Sequence, residues 1–253
     1  MNDEKRNVWV YGVVPADASL EELERRSDRL PDVSVVETGD LAAIVGDVPE
    51  EDAKATRDQA LGHARVLEAA VVDAPVVPFR FGIVVPGDDE VASELIEPRR
   101  DELKQLLDRV DGRVQMTLKV YYDEDAVLHE IVDEEPEIGE LREKMSQGPK
   151  EATRDIRVRV GELVNNALEE RRQRDSKEIL EQLKPVSIAA VAEGLEKEFM
   201  VLNAPFLVER DRVEEFENAV EDVADDRKER MHFRLLGPMP AYNFIDVEEP
   251  AWA

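Results

Sequence analysis

The first half of the chain alternates between short apolar runs and longer segments in which apolar residues recur every three or four positions. Short runs rich in β-branched residues predict strands, and the longer periodic segments predict amphipathic helices. Strands are expected at residues 7–14, 33–37, 41–45 and 75–85, and helices at about 17–30 and 50–72. Thr38–Asp40 predicts a hairpin turn. A further helix at 88–110 should be interrupted or bent at Pro98.

The order β-α-β-β-α-β is that of a ferredoxin-like, or split βαβ, domain, and it starts again after residue 111. The second set comprises strands at 114–120, 186–191, 199–208 and 231–236 and helices at about 151–183 and 211–224. An acidic insertion at about 123–150 is expected to contain some helix and a mobile tip. We therefore predict an α+β fold of two tandem ferredoxin-like units with an acidic helical insertion in the second. The predicted domains are 1–111 and 112–253, the latter ending in an extension, 237–253, with one more candidate strand at 241–247.

The strand predicted at 75–85, PVVPFRFGIVV, has two different faces. One face carries Val77, Phe79, Phe81, Ile83 and Val85, and should belong to the core. Arg80 then points to the opposite face, where Trp9, Tyr11 and Val13 of the first strand could also lie. If helices cover only one side of this sheet, the result is an apolar, aromatic surface with one cation, suited to an amphipathic partner helix. The alternative is that the helix at 88–110 or the second unit covers this face and that Arg80 is a paired interior cation.

The chain is strongly acidic, with 60 Asp and Glu against 33 Lys and Arg and a net charge of −27. The acid is spread over both halves, which favours a surface adapted to a salty cytoplasm over a concentrated DNA-mimicking or cation-binding surface. No basic patch suggests nucleic-acid binding. The chain has no cysteine and no apolar stretch of about 18 residues. We therefore expect a cytoplasmic protein without disulfides, a secretion signal or a membrane span.

Candidate chemistry is sparse. The three histidines, His63, His129 and His232, are not paired at metal-binding spacing, and each is expected to be an ordinary surface or packed residue. The acidic runs lack the alternation and central glycine of a calcium loop. Motifs of nucleophilic hydrolases, P-loop proteins and dinucleotide-binding proteins are absent from the sequence. We expect neither an enzyme nor a metal or cofactor.

Several segments, taken in order, resemble the GvpF/GvpL family of gas vesicle proteins. They are YGVVPAD, LAAIVGDVP, HARVLEAA, PVVPFRFGIVV, LKVYYDE and GPMPAYNFID. The PFRFG strand together with the closing GPMPAYNF is the most specific part of the resemblance. Within these segments the family-signature positions, expected to be structural, are Gly12, His63, Pro78, Gly82, Gly237, Pro238, Pro240, Tyr242, Asn243 and Phe244.

The resemblance implies a non-enzymatic accessory protein of gas vesicle assembly, with an N-terminal α/β domain and a C-terminal ferredoxin-like domain. The implied partners are the hydrophobic major shell protein GvpA and other accessory gas vesicle proteins. The implied locations are the cytoplasm and the vesicle, in a salt-loving archaeon. We expect the contact with the shell protein to involve Trp9, Tyr11, Phe79, Arg80 and Phe81. The alternative is a small-molecule-binding or catalytic α+β protein with a pocket between its two units.

Overall fold

The computed structural model describes residues 7–48, 56–147 and 154–245. The chain is of the α+β class, as predicted, and contains two antiparallel sheets with helices between their strands. Its internal contacts group into two compact units, one of 1–116, 207–213 and 236–253 and the other of 117–206 and 214–235. The division at residue 111 and the tandem ferredoxin-like description stay predictions. Among the described residues, no helix is both long enough and apolar enough to cross a membrane.

The first sheet is built from five short strands. In chain order the elements are β1 (Val8–Pro15), α1 (Glu21–Arg25), β2 (Ser34–Thr38), β3 (Leu41–Asp47), α2 (Arg57–Asp73), β4 (Val77–Pro78), β5 (Val84–Val85), α3 (Asp88–Glu90) and α4 (Arg100–Val110). The strand order is β2-β3-β1-β4, and β5 also pairs with β1. The predicted β2–β3 hairpin is confirmed, and its turn places Gly39 at φ +67°, a conformation that favours glycine.

The second sheet has four strands. Its elements are β6 (Arg113–Tyr122), α5 (Glu124–Glu134), α6 (Pro136–Gln147), α7 (Arg154–Leu183), β7 (Ala189–Ala190), β8 (Met200–Glu209), α8 (Val213–Asp225) and β9 (Met231–Met239). The strand order is β7-β8-β6-β9. The acidic insertion is therefore helical, as expected, and forms α5 and α6. Residues 148–150 of the expected insertion lie outside the described residues, and its mobile tip stays a prediction.

A buried polar cluster attaches α7 to the second sheet. The Tyr122 hydroxyl donates a 2.6 Å hydrogen bond to Asp175, which is 2% exposed, and Arg230 donates to the same carboxylate at 3.0 Å. Burial, followed by the Asp175 carboxylate, holds the pKa of Tyr122 well above its ordinary value. The tyrosine therefore stays protonated and acts as a donor, so the buried carboxylate keeps two partners.

Helices cover both faces of the first sheet, which corrects the expectation of an open face. Val8, Val10 and Val13 pack in one cluster with the leucines of α4, and Tyr11 and Val14 pack in another with α2. A shift in the β1–β3 register between Val10 and Gly12 explains why strict alternation fails. Such a bulge moves the residues after it to the other face, so Val13 lies opposite Tyr11 rather than beside it.

Three further expectations need correction. The strand predicted at 75–85 is two two-residue strands, β4 and β5, joined by a turn at Phe81 and Gly82. The helix predicted at 17–30 is the single turn α1 followed by a 3₁₀ turn at Ser27–Arg29. The candidate strand at 241–247 is a 3₁₀ turn at Tyr242–Phe244, and residues 246 and 247 lie outside the described residues.

Other boundaries have clear local causes. The expected break at Pro98 is confirmed, because a π-helical turn and a 3₁₀ turn replace regular helix just before α4. The α2 helix starts after Thr56, whose hydroxyl accepts from the Gln59 amide while the Gln59 side chain accepts from the Thr56 amide. This reciprocal capping box fixes the first turn. The expected start near residue 50 lies outside the described residues.

Candidate functional site: an aromatic row and an apolar sheet edge

Four rings form a row that leads from the interior of the first sheet to its surface. Tyr11 and His63 have ring centroids 5.0 Å apart, His63 and Phe81 5.6 Å apart, and Phe81 and Trp9 5.9 Å apart. Tyr11 is 1% exposed, whereas Trp9 and Phe81 are half-buried at the outer end. Tilted and edge-on aromatic pairs of this kind are favourable. The row therefore presents two aromatic side chains on a rigid support.

Two glycines make this row possible. A Cβ at Gly12 would lie 2.8 Å from the carbonyl oxygen of Val77, so the glycine allows β4 to approach β1 closely. Gly12 pairs with Pro78, directly before the segment that carries Phe79, Arg80 and Phe81. Gly82 has φ +99° and lies in the turn by which the chain leaves β1 after β4 before it pairs with β1 again, in the same direction, at β5.

His63 holds the turn between β4 and β5 from the α2 helix. Its Nε2 donates a 2.9 Å hydrogen bond to the Phe79 carbonyl, and the residue is 5% exposed. Burial lowers the pKa of His63, an effect that the hydrogen bond to Phe79 opposes in part. A neutral, packed imidazole with its Nε2 engaged agrees with the expectation of an ordinary packed histidine.

The pKa of Tyr11 is raised to about 12, first by burial and second by the nearby Asp47 carboxylate. The phenol is therefore neutral at physiological pH. Its surroundings are those of an apolar core residue rather than of an acid–base catalyst.

The structure divides the five residues expected to contact a partner. Trp9, Phe81 and Arg80 reach the surface, and Arg80 is exposed. Tyr11 and Phe79 are 1% and 2% exposed, so the expectation that Tyr11 lies on an open face is wrong, and Phe79 is core. Phe81, expected to share the Phe79 face, lies against Trp9 because the turn at Gly82 ends the alternation. We call Trp9, Arg80 and Phe81 the aromatic rim.

A second apolar surface was missed by the sequence analysis. Residues 188–192, IAAVA, are all exposed, with Ile188 at 45% and Val191 at 40%, and Leu195 nearby is 42% exposed. A run of five exposed apolar residues is abnormal in a stable soluble protein unless it has a function. The sequence carries a signal for this surface, because 188–192 are five consecutive apolar residues without alternating polar ones, whereas apolar content alone predicts only a strand at 186–191. We call residues 188–192 the apolar edge.

The apolar edge lies at the end of the second sheet, since β7 is its outermost strand. The amides of Val191 and Glu193 donate to Pro205 and Asn203 of β8 at 3.0 and 2.8 Å. Because backbone groups alternate in direction along a strand, those of Ala190 and Ala192 point away from the sheet.

Polar contacts hold the segment that follows the apolar edge. The Asn203 amide donates to Glu193 at 3.1 Å, and Lys119 pairs with Glu196 at 3.2 Å. The Lys197 ammonium lies 5.5 Å from the centre of the Tyr121 ring. The apolar edge is therefore held in an extended form beside β8, with its outer side free of described contacts.

The closing segment GPMPAYNF begins as the last three residues of β9 and ends in a 3₁₀ turn at Tyr242–Phe244 that packs against the core of the first unit. Gly237 has φ +131°, and a Cβ there would meet the Gln115 carbonyl at 2.8 Å; the bond from Gly237 to Pro238 is cis. The Gln115 side chain donates to the Asn243 side chain and accepts from its backbone amide, both at 3.0 Å. Pro240 is buried, Phe244 packs against the core, and Tyr242 is 39% exposed.

His129, His232 and the acidic clusters of the described residues do not form a metal site or a catalytic arrangement. In the described ranges no group of three or more His, Asp or Glu side chains is arranged to hold a metal ion. His232 lies 3.5 Å from Asp123 at the surface, and His129 contacts the Asp125 carbonyl of its own helix at 2.7 Å. His129 borders an open cleft of about 550 Å³ whose walls are mostly charged.

Comparison with known proteins identifies the family. The sequence profile described as "Gas vesicle synthesis protein GvpL/GvpF" matches residues 7–246. Gas vesicle protein F of Streptomyces sp. (strain CB03234) is 32% identical over 244 residues, covering 95% of this chain and all of that protein. Gas vesicle protein F1 of Halobacterium salinarum is 23% identical over 247 residues, covering 95% and 93% of the two chains. Relatives thus come from Streptomyces as well as from haloarchaea, and the expected haloarchaeal origin stays a prediction.

A solved structure agrees at the level of the fold. The crystal structure of GvpF from Anabaena sp. PCC7120 superposes with a TM-score of 0.79 at 21% identity, covering 96% of this chain and all of that one. The profile match extends over both sheets, and the relatives are gas vesicle proteins rather than members of a known enzyme family. The chain therefore belongs to the GvpL/GvpF family of gas vesicle synthesis proteins.

Proposed function

We propose that this protein is an accessory factor of gas vesicle assembly that binds the hydrophobic major shell protein GvpA. In this role it keeps the unassembled subunit dispersed, aids nucleation and remains as a minor vesicle component. The observation that carries the proposal is the apolar edge, a continuous exposed apolar strand on a chain of net charge −27. Such a surface suits a partner that is itself apolar and aggregation-prone.

Two physical contributions would act at the apolar edge. Covering the exposed parts of Ile188 and Val191, which are 45% and 40% exposed, contributes about 1 kcal/mol each. An extended segment of the shell subunit would also pair with the outward backbone groups of Ala190 and Ala192. This is strand addition, in which the main chain supplies affinity and the side chains supply selectivity.

The aromatic rim is the proposed second contact. Trp9, Arg80 and Phe81 are expected from the sequence to touch the shell protein, and all three reach the surface. Half-buried aromatic side chains are frequent anchors of protein interfaces. Tyr11 and Phe79 would support this contact from the interior without touching the partner.

The strand order of the two sheets supports two domains that each carry one of the proposed contacts. Both sheets have the strand order expected for split βαβ domains, β2-β3-β1-β4 and β7-β8-β6-β9. We propose two tandem ferredoxin-like domains, 1–111 and 112–253, with one proposed contact on each. The protein would occur in the cytoplasm before assembly and on the vesicle afterwards, and the acidic surface would suit a salty cytoplasm.

Capture of tagged shell subunit tests the apolar edge. The double variant Ile188→Glu/Val191→Glu should weaken capture about 30-fold, because it removes about 2 kcal/mol of apolar contact. The matched control is Leu61→Glu/Val158→Glu, which replaces two other apolar side chains that are 43% and 57% exposed. Light scattering of the shell subunit after dilution from denaturant should rise with the first variant and stay low with the control.

The aromatic rim is tested separately with Arg80→Glu, and Arg142→Glu on α6 is the control for the same change of charge. Unchanged capture by Arg80→Glu would remove Arg80 from the contact. Equal capture by the edge variant and by wild type would remove the apolar edge. In the cell, a gene deletion complemented with each variant and scored by vesicle formation connects binding to assembly.

The alternative function, a small-molecule-binding or catalytic protein, has one supporting observation, the cleft beside His129. The cleft is open, and its walls include Asp133, Asp225 and Glu229 as well as Arg230, so it resembles a solvated surface more than an apolar ligand pocket. A small molecule that co-purifies with the protein and is lost in His129→Ala would favour this alternative.

A further inference from the structure

A cleft of about 770 Å³ between α1 and α2 concentrates positive charge on this acidic protein. Four arginines line it, namely Arg25, Arg26, Arg29 and Arg65. Only two carboxylates, Asp28 and Glu68, share its wall, although acids outnumber bases 60 to 33 in the chain. Counting Glu22, which binds Arg25 and Arg26, four arginines face three carboxylates, so the local charge is slightly positive on a chain of net charge −27.

The four arginines differ in how they are held. Arg25 donates twice to Glu22 at 2.6 Å, and Arg26 also binds Glu22, so these two guanidinium groups are positioned by one carboxylate. Arg29 and Arg65 are exposed and have no hydrogen-bond or ion-pair partner among the described residues. Two guanidinium groups facing one cleft thus retain free donors.

This arrangement is costly for the fold alone. Arg25 ends α1 and Arg29 ends the 3₁₀ turn that follows, and both line the same cleft, where like charges repel. Arg65 adds a further positive charge from α2. Nothing in the packing of α1 requires it, because the buried residue of this helix is Leu23.

We propose that this arginine cleft docks a short acidic segment of a partner protein, with Arg29 and Arg65 binding its carboxylates. The planar guanidinium group presents paired N–H donors that match a carboxylate. Leu30 and the aliphatic parts of the arginine side chains provide an apolar floor for a neighbouring side chain of the segment. The site is independent of the proposed shell-subunit contacts.

The charge distribution selects a protein segment over a polyanion. A chain of net charge −27 repels nucleic acid at long range, and Asp28 and Glu68 would face additional phosphates in the cleft. A segment with two or three carboxylates and otherwise low charge is attracted by the arginines of the cleft and is repelled less by the rest of the protein. The occupant is thus defined by a few acidic side chains flanked by apolar ones.

Fluorescence anisotropy with a labelled peptide, Gly-Leu-Glu-Glu-Leu-Gln-Glu-Leu-Gly, tests the cleft on the full chain. Wild type should bind this peptide, and the affinity should fall as salt is raised from 0.05 to 0.5 M. Arg29→Gln/Arg65→Gln should weaken binding about 100-fold, about tenfold for each arginine. Arg109→Gln/Arg142→Gln, the same change of charge at two exposed arginines outside the cleft, should bind as wild type.

A second variant, Arg29→Lys/Arg65→Lys, keeps the charge and removes the planar donors, and should fall between wild type and the glutamine variant. Equal binding by all variants would overturn the proposal. So would equal binding of the peptide with glutamine in place of glutamate. Tighter binding of a ten-nucleotide oligothymidine would assign the cleft to nucleic acid instead. Sedimentation showing a dimer that is lost in the glutamine variant would assign it to a second copy of this chain.

Discussion

The close approach of β4 to β1 at Gly12 can be tested by adding one methyl group. In Gly12→Ala the new Cβ would lie 2.8 Å from the Val77 carbonyl oxygen and 3.0 Å from side-chain atoms of both Leu67 and Val76. One of these neighbours is backbone in a paired strand, so relief requires β4 to shift. Overpacking of this kind costs about 1–3 kcal/mol. Replacing glycine also stiffens the unfolded chain, which returns about 0.4–1 kcal/mol. We expect a net loss of about 1–2 kcal/mol.

The assay is urea unfolding followed by far-UV circular dichroism at constant salt. The matched control is Gly161→Ala in α7, where no atom lies within 4 Å of the new methyl group. Alanine is the better helix former by about 1 kcal/mol, so this variant should be more stable than wild type. The two alanine substitutions should therefore shift stability in opposite directions. A Gly12→Ala protein as stable as wild type would refute the close approach that places Phe79, Arg80 and Phe81.

Two further predictions concern buried polar groups. The pKa of Tyr11 is about 12 in the folded chain and about 10 in the unfolded chain, so protonated Tyr11 favours folding. This contribution is fully present below pH 10 and is lost as the pH rises toward 12. Between pH 9 and pH 11.5, the free energy of unfolding should therefore fall by about 2 kcal/mol less in Tyr11→Phe than in wild type. Equal falls would contradict the assignment. Asn243→Ala removes the 3.0 Å hydrogen bond that the buried Gln115 amide donates and should cost about 1 kcal/mol in urea unfolding, whereas the exposed Asn166→Ala should cost almost nothing. Equal stability of these two variants would argue against the Gln115–Asn243 contact.

The periodic parts of the sequence predicted the fold well. The β2–β3 hairpin, the strand β6 and the break before α4 follow from local turn chemistry and apolar spacing, and the structure has all three. Burial of Gln115 and Thr117 in β6 did not follow from local pattern. A polar residue on an alternating strand predicts solvent, and only the tertiary contact with Asn243 makes Gln115 an interior residue.

The candidate site was harder to predict for a physical reason. Alternation assigns faces only while a strand stays regular, and PVVPFRFGIVV is interrupted at Gly82. The assignment of Phe81 to the Phe79 face therefore failed, as did the placement of Val13 beyond the β1 bulge. The surface position of Trp9, Arg80 and Phe81 could nevertheless be predicted from the sequence, because a cation and large aromatic residues lie close to one turn.

The net negative charge of the chain affects which partners can pair with its apolar edge. An exposed edge strand with a run of apolar residues would normally pair with a second copy of itself and aggregate. At low ionic strength two copies that each carry −27 repel one another, so self-association at residues 188–192 is opposed by the rest of the surface. At about 1 M salt the Debye length is about 3 Å and this repulsion is largely screened. An apolar partner of low charge meets no such barrier. The acidic exterior would thus oppose self-pairing most strongly at low salt while leaving the edge available to a shell subunit, so self-association of the free protein should increase as salt is raised.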